Sequence, residues 1–199
     1  MVQPKKSYTV ICEGISEYAY IQQLNRWLND NDYSCVLLPK PAGSGHFTAV
    51  QRKYQSEKRA NPKQDIIIWV DKDTYVRNDA KDRENYEHKS KKMPDFQFSV
   101  MNFEDFLVLH LDSDVLENWF QICSRHRHHI KPMTENIYLP LLGQHIFNNY
   151  VKGELPFDID TNSLTKLLRN NKGKHFFRSN FVDLLEELMS KHKPDEVKQ

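Results

Sequence analysis

Tyr8-Thr-Val-Ile-Cys12 runs into Glu13-Gly14, and Ile66-Ile-Ile-Trp-Val70 runs into Asp71-Lys72-Asp73. Both stretches are short, continuously apolar and rich in β-branched or aromatic residues, the pattern of strands covered on both faces in a parallel sheet. Each stops abruptly at acids. In an open α/β sheet functional groups gather just past the carboxyl ends of the strands. Glu13, Asp71 and Asp73 are therefore delivered to one end of the sheet, where three carboxylates could converge on a hard divalent cation such as Mg²⁺.

Working outward, Ser16, Glu17, Tyr18, Tyr20, Ile21, Leu24, Trp27 and Leu28 carry the 3.6-residue spacing of an amphipathic helix, with Ser16 as its expected N-cap. Ser34 to Leu38 reads as a second strand, Lys40 to His46 as a glycine-bearing loop, and Phe47 to Ala60 as a polar helix. After the third strand, Asp65 to Val70, the charge-dominated stretch Thr74 to Asp95 reads as a solvated helix or mobile segment. Phe96 to Met101 reads as a fourth strand and Phe103 to Leu111 as a helix with two acids in its first turn. Beyond Asp114 helical patterns cover Val115–Arg127, Tyr138–Tyr150, Ser163–Arg169 and Phe181–Lys191. The expectation is an α/β chain: a mostly parallel sheet flanked by helices over residues 1–112, with residues 113–199 a helical extension packed on that core.

The 199 residues suffice for one ordinary domain with a real interior, and 28% charged with 39% hydrophobic residues is a globular composition. No apolar run approaches the roughly 20 residues that span a bilayer, and residues 1–7 lack an apolar segment for export. Cys12, Cys35 and Cys123 are widely spaced, and two lie in strand-like runs, which suits reduced, buried thiols. A cytoplasmic protein without membrane contact is expected. The net charge of +1 excludes long-range attraction of a polyanion by the protein as a whole. Its distribution is uneven, −2 over residues 1–120 and +3 over residues 121–199, which points to a C-terminal basic face.

Each motif has a bland reading. Glu13 after a strand is an ordinary loop acid, although Gly14 would relieve crowding there. Asp71 and Asp73 are also turn formers, but in an extended segment their side chains would point the same way, as cation ligands require. Lys166, Arg169, Lys172, Lys174 and Arg178 occupy a stretch without an acid and form the expected nucleic-acid patch, against the alternative of a solvated loop. Arg125-His-Arg-His-His129 has no zinc-site spacing. Gly43-Ser-Gly45 lacks both the phosphate-loop and dinucleotide fingerprints, so ATP and NAD are not expected.

Cys12-Glu-Gly-Ile-Ser-Glu17 with the Tyr-rich helix after it, Val70-Asp-Lys-Asp73, and Asn102-Phe-Glu-Asp-Phe-Leu-Val-Leu-His110 together resemble the Toprim domain of the RloB-like proteins, relatives of OLD-family and other anti-phage nucleases. The likeness spans about residues 7–112 and lies in the order and spacing of the three blocks. It implies Glu13 as a catalytic or metal-organising carboxylate and Asp71 and Asp73 as Mg²⁺ or Mn²⁺ ligands. It further implies Glu17 as a second-metal acid, Glu104 as an acid of the turn opening the helix after the fourth strand, and Lys174 as a late catalytic lysine. Helix-dipole and capping roles compete for Glu17, Glu104 and Asp105. The chain departs from the family pattern at Val100-Met-Asn102, where small residues or proline often precede the Phe-Glu turn.

The resemblance implies metal-dependent cleavage of phosphodiesters in RNA, with transfer RNA one such substrate, or in DNA, as an effector of phage defence. A separate ATPase sensor or inhibitory protein would be its partner, because the chain has no ATPase motif. The main rival is a module that binds nucleotide or nucleic acid through Mg²⁺ without cutting; topoisomerase or primase chemistry ranks below it for want of accessory domains. A homodimer through the apolar helices after Asp114 competes with packing of the same stripes on the sheet.

Overall fold

The computed structural model describes residues 4–78, 80–125, 151, 153–173 and 177–194. The elements run β1 (Lys6–Cys12), α1 (Ile15–Asp30), β2 (Cys35–Pro41), α2 (Phe47–Ala60), β3 (Asp65–Val70), a π-helical turn (Thr74–Asn78), α3 (Ala80–Lys89), a 3₁₀ turn (Ser90–Lys92), β4 (Phe96–Phe98), α4 (Phe103–Val108), α5 (Ser113–Arg125), α6 (Thr161–Asn171) and α7 (Asn180–Lys191). The four strands form one sheet in the order β2-β1-β3-β4, every pair parallel. The chain is thus α/β with helices on the faces of a parallel sheet. The expected helix at Tyr138–Tyr150 lies outside the described residues.

Alternation along β1 and β3 divides the interior. Val10, Ile67 and Trp69 face a large cluster shared with α1, α4, α5, α6 and α7, whereas Ile11, Ile68 and Val70 face a smaller one made with α2, Tyr75 and Phe96. The first crossover helix lies on one face and the second on the other. Right-handed connections require this when the chain first steps to one side of β1 and then to the other.

Two boundaries differ from the reading by sequence for definable reasons. The second strand continues to Pro41 through Pro39; β2 is an edge strand, and an edge tolerates residues that cannot donate to the ladder. The fourth strand is only three residues long, and its outer edge is covered by side chains of the last helix. Phe98 N donates to Asn180 Oδ1 at 2.5 Å and Asn180 Nδ2 donates to the Phe96 carbonyl at 3.0 Å, which occupies backbone groups that an open edge would expose.

The C-terminal helices share the core of the sheet. Phe181 of α7 stacks on Trp69 of β3 with ring centroids 4.0 Å apart and planes 6° from parallel. Trp119 of α5, Leu167 of α6 and Leu185 of α7 are buried in the same cluster. Their apolar stripes are thereby accounted for by packing on the sheet. Cys12 and Cys35 are buried free thiols, and burial pushes the Cys12 thiol up to about 12. Among the described residues no helix is long and apolar enough to cross a membrane.

Candidate metal centre

β1 and β3 are neighbours whose onward connections leave in opposite directions, so the gap beyond their carboxyl ends is the topological switch point of the sheet. Cys12 is in register with Trp69. Glu13 and Asp71 consequently emerge side by side at that gap, and Asp71 N–H donates to Glu13 Oε2 at 3.5 Å. Glu17, in the first turn of α1, completes the group: one oxygen from each of Glu13, Glu17 and Asp71 lies within 4.8 Å of the others.

The local folding of α1 explains why Glu17 points there. The helix begins after Gly14, whose N–H donates to Glu17 Oε2 at 3.1 Å, so the carboxylate folds back over the helix start toward the strand ends. Ser16, the expected N-cap, lies inside the first turn instead. It is buried, and its hydroxyl accepts the Gly153 N–H at 3.2 Å. Gly14 has an extended backbone, and a Cβ there would sit 3.7 Å from Glu17, an ordinary contact. Relief of crowding is therefore not what this glycine provides.

Gly45 provides it. A Cβ at position 45 would lie 2.2 Å from Glu13 Oε2, far inside contact distance, so the loop of residues 42–46 can press on the Glu13 carboxylate only with a glycine there. The loop is held in place by the Ala42 N–H bonded to the Cys12 carbonyl at 2.8 Å and by the buried Tyr75 hydroxyl donating to the Gly45 carbonyl at 2.7 Å. Asp82 anchors the start of α2 by accepting the Phe47 N–H at 2.9 Å and pairing with His46 Nδ1 at 2.5 Å. Gly45, Tyr75 and Asp82 were not singled out by sequence. The only signal was a glycine in a loop following an apolar strand.

The electrostatics are those of acids crowded together. Burial raises the Glu17 carboxyl above the usual range, and the charges of Glu13 and Glu104 raise it further. Asp71 is pushed well up first by burial, then by Glu17, Glu13, Glu104 and Asp73. Glu104, in the first turn of α4, is thus electrostatically part of the group though outside the three converging oxygens. Asp73 is as well. The strand ends at Val70 and the chain bends at Lys72 into a helical turn, so Asp71 and Asp73 do not share one side of an extended segment. Asp73 N–H bonds the Met101 carbonyl at 3.0 Å, and its Oδ1 accepts from Thr74 at 3.3 Å.

Three buried side-chain polar atoms among the described residues have no hydrogen-bond partner: Trp69 Nε1, Ser99 Oγ and Asp71 Oδ1. The last belongs to an ionisable group. A buried carboxylate oxygen without a donor costs several kcal/mol unless it is neutralised or given a cation. The donor set is all oxygen, which suits Mg²⁺ or Mn²⁺. The three oxygens lie within 4.8 Å of one another and would have to draw together by up to about 2 Å to share one small cation.

The expected C-terminal basic patch is paired in the structure. Lys166 meets Asp112 at 2.8 Å, Lys172 meets Glu186 at 2.5 Å and Arg178 meets Asp183 at 3.1 Å, while Arg169 donates to Ser113 Oγ at 3.4 Å. Lys174 and the histidines of 126–129 lie outside the described residues. The chain matches no family model, and comparison with curated proteins and with solved structures returned no similar one.

Proposed function

We propose that this chain is a Mg²⁺- or Mn²⁺-dependent nuclease of the Toprim type, related to the RloB-like proteins, that hydrolyses phosphodiesters of RNA or DNA. One observation carries the reading: Glu13, Glu17 and Asp71 converge at the switch point of a parallel sheet, and Asp71 Oδ1 is buried there without a partner. Structural acids are seldom left so.

Asp71 and Glu17, drawn from two different elements, would hold the cation. Glu13 is less deeply buried than Glu17 and faces the Gly45 loop, where it would share the ion and take the proton of the attacking water. Glu104 and Asp73 add negative potential that favours a divalent over a monovalent ion. A bound Mg²⁺ supplies charge neutralisation at the scissile phosphate and orients it for in-line attack. Lys174 is the proposed late cation for the charge developing on the phosphate. The biological setting in this reading is the cytoplasm, as an effector of phage defence working with a separate sensor or inhibitor protein, as a monomer or a homodimer.

The test is incubation of the wild type and the Asp71→Ala variant with total RNA, plasmid and single-stranded DNA, supplied with Mg²⁺, Mn²⁺ or EDTA. Cleavage by wild type alone, abolished by EDTA, is the expected result. Cleavage no greater than that of the variant on any substrate sinks the nuclease reading, and metal-dependent retention of nucleic acid without products would describe a binding module instead.

A further inference from the structure

The acidic centre repels phosphate, so a nuclease built on it needs cations close by to hold its substrate. Averaging charge over half the chain hides where they are. Residues 47–63, covering α2 and the turn after it, hold five Lys or Arg and one acid, Glu57. Residues 80–92, covering α3 and its 3₁₀ extension, hold five Lys or Arg and three acids, of which Asp82 is buried and occupied with the start of α2. These two elements pack side by side on the same face of the sheet.

Between them runs a groove of about 290 Å³ lined by Gln51, Tyr54 and Gln55 of α2 and by His88, Lys89 and Lys92 from α3 and its extension. Lys53 is paired with Glu57 at 2.9 Å. Among the described residues no carboxylate lies within ion-pair distance of Arg52, Lys58, Lys63, Lys89, Lys91 or Lys92, all of them exposed. The C-terminal patch is the opposite case, since Lys166, Lys172 and Arg178 already carry acids.

Position joins the groove to the chemistry. α2 starts at Phe47, two residues after the glycine that presses on Glu13. Gln51 to Gln55 lie four to eight residues along it, about 6 to 12 Å at the rise of an α-helix. A phosphate at the acidic centre would place its neighbours along this track.

We propose that the α2/α3 groove, and not the C-terminal cations, is the surface that holds the nucleic-acid backbone. Lys89, Lys92 and Arg52 neutralise successive phosphates, and Gln51, Gln55 and Tyr54 supply neutral polar contacts. The assignment rests on the nuclease reading for its substrate class but is tested without catalysis. Labelled single-stranded RNA and duplex DNA are titrated in EDTA across a salt series with three proteins: wild type, Arg52→Glu/Lys89→Glu/Lys92→Glu, and Lys166→Glu/Lys172→Glu/Arg178→Glu. All the altered side chains are exposed except Lys166, which is half-buried against Asp112, and circular dichroism checks that each variant is folded.

The expected result is a loss of at least about tenfold in affinity for the groove variant. Its slope of log affinity against log salt should fall by about two, since each phosphate contact contributes about 0.7 to 0.9. The C-terminal variant should stay within about threefold of wild type. Greater loss in the C-terminal variant, wild type that binds neither probe, or tighter binding of polyglutamate than of either nucleic acid overturns the groove. Wild type that binds both ways as expected, yet cleaves nothing with Mg²⁺, leaves the groove standing and removes the nuclease reading alone.

Discussion

Two sets of buried acids sit at the same end of this molecule and are treated in opposite ways. Asp105, 3% exposed, accepts the Asn102 N–H at 3.1 Å, Asn102 Nδ2 at 3.3 Å and Trp119 Nε1 at 2.8 Å, and so closes the start of α4 onto α5. Asp82 likewise gives both oxygens to the beginning of α2. Asp71 is surrounded by other acids and leaves Oδ1 with no donor. Asp71 is half-buried as a residue but its Oδ1 is as buried as the oxygens of the first set, so burial does not mark function. The supply of donors differs: Asp105 and Asp82 are served by backbone, indole and imidazole N–H groups, whereas Asp71 Oδ1 has acids around it and no donor, and the proposed cation site rests on that difference.

The sharpest way to break this contrast is to remove one acid of each kind. Asp71→Ala should lower metal-dependent cleavage by about a thousandfold or more, the scale on which loss of a metal ligand acts, while the metal-free protein becomes no less stable. Asp105→Ala should do the reverse. It removes the carboxylate that accepts from the Trp119 and Asn102 N–H groups, which costs about 2 to 4 kcal/mol in urea unfolding, and activity per folded molecule is retained. Equal loss of stability in both variants would erase the distinction.

Gly45→Ala comes next. Its Cβ must displace the Glu13 carboxylate or the loop held by Tyr75, so cleavage should fall about ten- to a hundredfold with only a small change in melting temperature. Isothermal titration with Mn²⁺ should show weaker binding in step with the lost rate; unchanged activity would mean that Glu13 does not need its present position.

The smallest effect is a dependence on pH. The Glu17 carboxyl is raised in the folded protein, so its contribution to stability is present below the unfolded value near 4.5 and is lost as pH rises through the raised folded value. Glu17→Gln keeps an oxygen for the Gly14 N–H and removes the ionisation. In EDTA the variant should gain on wild type by about 1 to 3 kcal/mol between pH 5 and pH 8. Mg²⁺ should raise the wild-type melting temperature at pH 8 but not at pH 5, where protons hold the site. A stability difference that stays constant with pH would show that Glu17 is ionised and satisfied after all.

Much of this arrangement was legible from residues alone, because the two central strands are continuous apolar runs that end at acids. The bounds of β3 agree with those read from Asp65 to Val70. What could not be read came from contacts between distant segments. Thr74 to Asp95 looks like surface, and its charges do not reveal that Asp82 and Tyr75 are buried or what they hold. The need for Gly45 arises from a carboxylate 32 positions earlier in the chain. The pairing of the C-terminal cations depends on Asp112 in the loop before α5 and on Asp183 and Glu186 of α7, none of which lies in the stretch that looked basic.

The stacking of Phe181 on Trp69 also bears on timing. Trp69 stands two residues before Asp71, and its aromatic partner is 112 positions further along the chain. At about 5 to 20 residues per second, a ribosome needs on the order of ten seconds to travel from one to the other. During that interval the strand that leads into Asp71 lacks the ring that covers Trp69. A half-made chain, still tethered to its own messenger RNA, would therefore carry its acids on an incompletely packed sheet, and under the proposed nuclease reading the template would be spared until its message had been read.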